Sequence, residues 1–214
     1  MILYHNERRR VYRPDEAPDS VKEKALAREC EGIEPEFLSE SVFGECGIPY
    51  DEKERGVTIE TGRDAGPSWS IGSKGAGVGM LGKVEDVPKF LAYLETEGII
   101  DRDQKRRLLY LERAGGISLR FLPRRGYGEG TVADSAFDPP EWPSAEISEA
   151  LKILEGAWSD YVEALECRAL KALEREYEFL TSWDTLAERL KDFGEGIDET
   201  GRTVPLSECE ERPE

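Results

Sequence analysis

Apolar and polar residues follow two registers along this chain: short alternating runs in its first two thirds, and one long helical stripe after residue 145. Ile2-Leu3-Tyr4 opens with a strand pattern and runs into the basic cluster Arg8-Arg9-Arg10 and Arg13. Residues 19–30 predict a short helix, with Asp19 or Ser20 as N-cap and Gly32 past its end. After an acidic, turn-rich stretch to residue 56, Val57 and Ile59 alternate with polar neighbours in a strand pattern over 55–63. Trp69 to Ile71 predicts another short strand before a glycine-rich loop. Asp86 begins a helix carrying Phe90, Leu91 and Leu94 that stops at Gly98. Beyond it, Leu109 and Leu111 alternate, Ala114-Gly115-Gly116 turns, and Ile117, Leu119 and Phe121 alternate again, which predicts a hairpin with a strand over 107–112. The rival reading makes 102–113 a helix capped by Asp101.

Asp138-Pro139-Pro140-Glu141-Trp142-Pro143 marks the clearest boundary, because three prolines in so short a span end any element and favour extended chain. Past it, Ile147, Leu151, Leu154, Trp158, Tyr161 and Leu165 recur at spacings of four and three, with Leu173 and Tyr177 extending the stripe. That is one face of a helix of roughly 50 Å. The stripe is expected to pack on the chain's own core, with a self-associating coiled coil as the rival. Thr181-Ser182 caps a second helix through Leu186, Leu190 and Phe193, closed by Gly194. The predicted fold is α+β: a small mixed domain with antiparallel strands over 1–133, a proline-rich linker over 134–145, an acidic helical region over 146–193, and a loose acidic tail over 194–214.

Composition adds an asymmetry. The chain is 214 residues long with a net charge of −17. Residues 134–214 hold 22 acidic against 8 basic residues, whereas residues 1–133 hold 24 against 21. Charge placed this way bears on partners rather than on fold. No apolar run approaches 18 residues, so no membrane-spanning helix is expected. The opening is too short for a secretory signal, and the chain reads as cytoplasmic. Cys30, Cys46, Cys167 and Cys209 are far apart and read as free thiols. With His5 the only histidine, a zinc site is not expected. One Asn and one Gln fit a thermophilic, saline or GC-rich origin alike.

Catalytic signatures fare poorly. Gly77-x-Gly79-x-x-Gly82 matches a dinucleotide fingerprint, and Gly77-x4-Gly82-Lys83 matches most of a P-loop. Both need a buried strand before the loop and a helix opening inside it. Here Val84 replaces the magnesium-binding hydroxyl, Glu85-Asp86 places negative charge where phosphate would sit, and Pro88 delays the helix. The segment therefore reads as a turning loop. A triad built on His5 has no support. The Arg8–Arg13 cluster and Arg124-Arg125 read as balance for nearby acids, since a −17 chain repels a phosphate backbone. The chain is read as non-catalytic, without cofactor or metal.

The acids of the long helix carry the functional expectation. Glu149, Glu155, Asp160, Glu163, Glu166, Glu174, Glu176 and Glu178 face few bases (Lys152, Arg168, Lys171, Arg175), so ion pairing along the helix is incomplete. Carboxylates on a rigid helix can imitate duplex phosphates or plug a basic groove. Glu149, Glu155, Asp160, Glu163, Glu166, Glu174 and Glu178 are the expected partner contacts.

One resemblance points the same way. Glu176-Tyr177-Glu178-Phe179-Leu180-Thr181-Ser182, then Leu186 and Phe193, then Asp198-Glu199-x-Gly201-Arg202-x-Val204, resembles a C-terminal pattern in small uncharacterised phage and plasmid-borne proteins. The likeness spans about residues 174–204, and the chain departs from it at Gly194-Glu195-Gly196, where that group is more aromatic. The resemblance implies mobile-element origin and assigns no activity. The expected function is thus a phage-type acidic protein that binds and inhibits a basic, nucleic-acid-handling host defence complex, of anti-CRISPR or anti-restriction type. Direct nucleic-acid binding is not expected. The rivals are an immunity or antitoxin protein against a basic toxin, and a phage assembly protein that oligomerises through the long helix.

Overall fold

The computed structural model describes residues 2–5, 9–32, 47–60, 68–70, 77–124, 130–139 and 143–212. In chain order these form β1 (Ile2–His5), β2 (Arg9–Tyr12), α1 (Asp19–Gly32), α2 (Ile48–Glu54), β3 (Val57–Ile59), β4 (Ser68–Ser70), β5 (Gly77–Gly79), β6 (Gly82–Val84), α3 (Val87–Thr96), α4 (Arg102–Arg113), β7 (Ile117–Pro123), β8 (Thr131–Phe137), α5 (Ala145–Leu180), α6 (Trp183–Phe193), β9 (Glu195–Asp198), β10 (Thr203–Pro205) and β11 (Cys209–Arg212). Helices and antiparallel sheets together make an α+β fold. The chain divides into two compact units, one of Met1–Glu34 with Arg175–Glu214, the other of Pro35–Glu174. This differs from a boundary at residue 133, because the two ends of the chain share a sheet.

That sheet runs β10-β9-β2-β1-β11, with each neighbouring pair antiparallel. Tyr12 and Ile197 from the sheet pack with Val21 and Ala25 of α1 and Leu186 and Leu190 of α6. Leu3, Val11 and Val204 form a second cluster with Leu206 and Cys209. Val11 and its neighbour Tyr12 thus serve different clusters, as strand alternation requires. The tail predicted as loose from residue 194 is therefore structured. Its strands are only three or four residues long, too short for alternation to stand out, and long-range pairing supplies what local pattern lacks. The α1 start also differs from expectation. The Pro18 carbonyl accepts from the Val21 and Lys22 amides, so Asp19 and Ser20 lie inside the first turn.

The other unit carries the antiparallel sheet β3-β6-β7-β8 and a two-stranded β4-β5 ladder. Val57 and Ile59 of β3 are buried as their alternation predicts. The Asp86 carboxylate caps α3 by accepting from the Lys89 amide at 2.9 Å, and Gly98 follows with φ +71°.

Residues 107–112 are not a strand. Asp101 and Gln104 close a capping box at the start of α4, which satisfies two otherwise orphaned amides. Leu108 and Leu111, three apart, are the buried pair, so the helical period overrides the alternation of Leu109 with Leu111. The true hairpin is β7–β8, in register from Ile117↔Phe137 to Pro123↔Thr131. Because β8 runs to Phe137, the first residues of the predicted linker are strand, while Pro140–Trp142 lie outside the described residues.

The glycine-rich segment is also strand rather than loop. Gly77–Gly79 and Gly82–Val84 form β5 and β6. A side chain at Gly82 would run into the Thr58 carbonyl and the Phe121 ring, so this glycine allows close strand packing. No helix opens inside the segment, which removes the context that either phosphate motif requires.

The long helix α5 has 36 residues, about 54 Å at 1.5 Å per residue. Leu151, Leu154, Trp158, Tyr161, Leu165 and Leu173 are buried. The Trp158 ring lies 5.5 Å from Phe90, edge to face, and 6.1 Å from Phe121. Its Nε1 donates to the Arg120 and Asp134 carbonyls at 3.0 and 3.2 Å. The stripe is therefore spent on its own unit, not held open for a coiled coil. Ser182 caps α6 by accepting from the Thr185 amide, and Gly194 closes it at φ +65°, both as the sequence predicts.

Candidate partner-binding face

One helical turn holds 3.6 residues, so each step along α5 rotates about 100°. On that wheel Glu149, Asp160, Glu163 and Glu174 fall within about 60° of one another, opposite the Trp158 and Leu165 side. Glu149, Asp160 and Glu163 are exposed and Glu174 is half-buried. Lys152 and Lys171 interrupt the line. No ion pair forms between these acids and any of the described residues. Glu178 is also exposed, on the part of α5 that belongs to the other unit.

Two of the expected contact residues sit elsewhere. Glu155 and Glu166 are rotated onto a flank of the helix, about 80° and 60° from Glu163, the nearest of those acids on the wheel. Glu166 is engaged within the fold: its Oε2 accepts the Thr131 amide at 3.0 Å, at the start of β8. Thr131 in turn donates its hydroxyl to the Val78 carbonyl at 2.6 Å and accepts from the Met80 amide at 3.1 Å. β8 is the edge of its sheet, and Glu166 occupies an amide at the strand's first residue. Glu166 thus clamps the start of β8 through one of its carboxylate oxygens. Glu176 has interactions of its own.

Acids outside α5's exposed line are often paired. Glu29 takes both terminal nitrogens of Arg189 at 2.6 and 2.7 Å, and this bond holds its carboxyl below the ordinary range. Asp198 is 1% exposed. Burial alone would raise its carboxyl, but bonds from Thr200, Arg202 and Arg9 together hold it low. Arg9 reaches Asp198 at 3.1 Å and Arg10 lies over the Tyr12 ring at 5.0 Å, so these arginines serve local structure. His5 sits 3.3 Å from Glu208. Cys30, Cys167 and Cys209 are free thiols, and Cys46 lies outside the described residues.

No family model, no curated protein and no solved structure matches this chain.

One buried cluster was not among the features expected from the sequence. Glu52, on α2, is wholly covered. It accepts from Arg55 and Arg168 at 2.9 Å each and from the Tyr161 hydroxyl. Arg168 also lies 3.6 Å from Asp51, and Arg55 stacks over Tyr93 at 5.1 Å. Burial pushes the Glu52 carboxyl above its usual range, and the two arginines oppose that rise without cancelling it. A carboxylate with no solvent contact cannot meet a ligand, so this cluster fastens α2 to α5. The available signal was Tyr161 itself: a phenol in an apolar stripe needs a hydrogen-bond partner. Arg168, seven residues on, lies near the same face. Among the described residues no helix is long and apolar enough to cross a membrane.

Proposed function

We propose that this chain is a non-catalytic acidic binding protein that docks the exposed carboxylates of α5 into a basic groove of a nucleic-acid-handling partner. The observation that carries the reading is the contrast in pairing. Glu149, Asp160 and Glu163 stand exposed without cationic partners among the described residues, whereas Glu29, Glu52 and Asp198 are each bonded to arginine. Unpaired like charge costs stability, and a basic partner offsets that cost.

Spacing favours a groove plug over a copy of a duplex. Duplex DNA carries one charge per about 1.7 Å of axis. From Glu149 to Asp160 the helix rises about 16 Å, and from Glu163 to Glu174 about 16 Å again. Charge this sparse suits a few arginine or lysine contacts. A phage-borne inhibitor of a CRISPR or restriction complex, acting in the host cytoplasm, fits this chemistry and the C-terminal resemblance. The stripe that would carry assembly through a coiled coil is buried within its own unit.

The test is binding to purified basic nuclease complexes, with and without DNA competitor, across a salt series. The reading expects binding that competes with DNA, weakens steeply with salt, and drops at least tenfold when Glu149, Asp160 and Glu163 are all changed to Lys. Inhibition that survives those three reversals sinks it.

A further inference from the structure

We propose that the cavity formed by α1, α6 and the β9–β10 turn binds a small organic oxyanion, with a carboxylate or phosphate head held by Arg28 and Arg202. The cavity has a volume of about 340 Å³ and is lined by Ala25, Arg28, Glu29, Leu186, Arg202 and Thr203, among others. That volume lies at the small end of ligand sites. All of it belongs to the unit that joins the two ends of the chain.

Charge at its wall runs against the chain as a whole. Glu29 is the acid of the lining, and Arg189 neutralises it through two short bonds. Arg28 spends only Nε, on the Thr200 carbonyl at 3.1 Å. Its terminal nitrogens and the whole guanidinium of Arg202 have no partner among the described residues. Two cations therefore face the cavity uncompensated. At physiological salt, charges more than about 8 Å away are largely screened.

The site is also preorganised. Asp198 accepts from the Thr200 hydroxyl and amide at 2.6 and 2.8 Å and from the Arg202 amide at 3.1 Å. Lys24 holds the Glu199 carbonyl at 3.0 Å. Gly201 adopts φ +82°, and a Cβ there would lie 2.7 Å from the Ala25 nitrogen. The turn that carries Arg202 is thus fixed against α1 before any ligand arrives, which lowers the ordering cost of binding. Guanidinium forks match carboxylate and phosphate oxygens. Ala25 and Leu186 are buried apolar residues and offer contact to a short hydrocarbon body.

The test follows amide resonances of the full chain during titration with phosphate, acetate and butyrate at constant ionic strength. Saturable shifts confined to residues around Ala25, Arg28 and Gly201–Thr203 are expected. Arg202→Gln and Arg28→Gln should each weaken binding roughly tenfold, while Arg106→Gln, exposed and outside the lining, should not. Arg202→Gln keeps the main-chain bond to Asp198, and a dispersed spectrum checks that the variant folds. Butyrate binding more tightly than acetate assigns the source as a carboxylate with an apolar body; phosphate binding alone assigns a phosphate headgroup. Shifts that fail to saturate, spread equally to Arg106, or persist without both arginines overturn the site.

Discussion

Tyr161 and Asp198 show how single polar groups are settled in this protein, and each yields a test. Changing Tyr161 to Phe strips one donor from the buried Glu52 carboxylate and should cost about 1–3 kcal/mol in urea unfolding. The two carboxyls should also respond to pH in opposite senses. Glu52 binds its proton more tightly folded than unfolded, because burial raises it from its ordinary 4.5. Its stabilising contribution is therefore complete below that value and is lost as pH rises through the folded pKa. Asp198 is held below its ordinary 3.8, so its contribution is present above that value and is lost as pH falls through the folded pKa. Measured from acid to neutral pH, wild-type stability relative to Glu52→Gln should fall, and relative to Asp198→Asn should rise. Gly201→Ala is expected to destabilise by at least about 1–3 kcal/mol, since φ is +82° and the new Cβ meets α1 backbone.

At the scale of elements, helix caps were readable and short strands were not. Asp86, Ser182, Gly98 and Gly194 end or begin helices where the pattern placed them, because capping is a local bond between neighbours in sequence. Asp101 had the same signature, yet the run of Leu109 and Leu111 argued for a strand. A fragment of alternation is weak evidence when a capping box stands upstream. Asp101→Ala should cost about 1 kcal/mol, read as a lower unfolding midpoint. By contrast, β9, β10 and β11 owe their form to partners far away in the chain, which no window of sequence reveals. The acids of α5 were legible as a set, but their division was not. Phase along the helix separates Glu149, Asp160 and Glu163 from Glu155 and Glu166, and only the fold shows that Glu166 holds the Thr131 amide.

For the whole molecule, with a net charge of −17, Glu149, Asp160 and Glu163 form no ion pair among the described residues. Glu149→Gln, Asp160→Asn and Glu163→Gln are each expected to change unfolding free energy by no more than about 0.5 kcal/mol, whereas removing a paired acid such as Glu29 should cost more. The shared sheet of the two chain ends has a consequence for synthesis. Strand β1 pairs with β11, Ile2 opposite Arg212, and β2 pairs with β9, while Pro35–Glu174 form a unit of their own in between. At ribosomal rates of roughly 5–20 residues per second, the N-terminal hairpin waits about 10–40 s for its outer strands to be made. Through that interval both hairpin edges stand open to any other nascent chain, and Arg9 and Arg10 supply the edge charge that discourages mispairing. The unit that begins first is the one that must finish last.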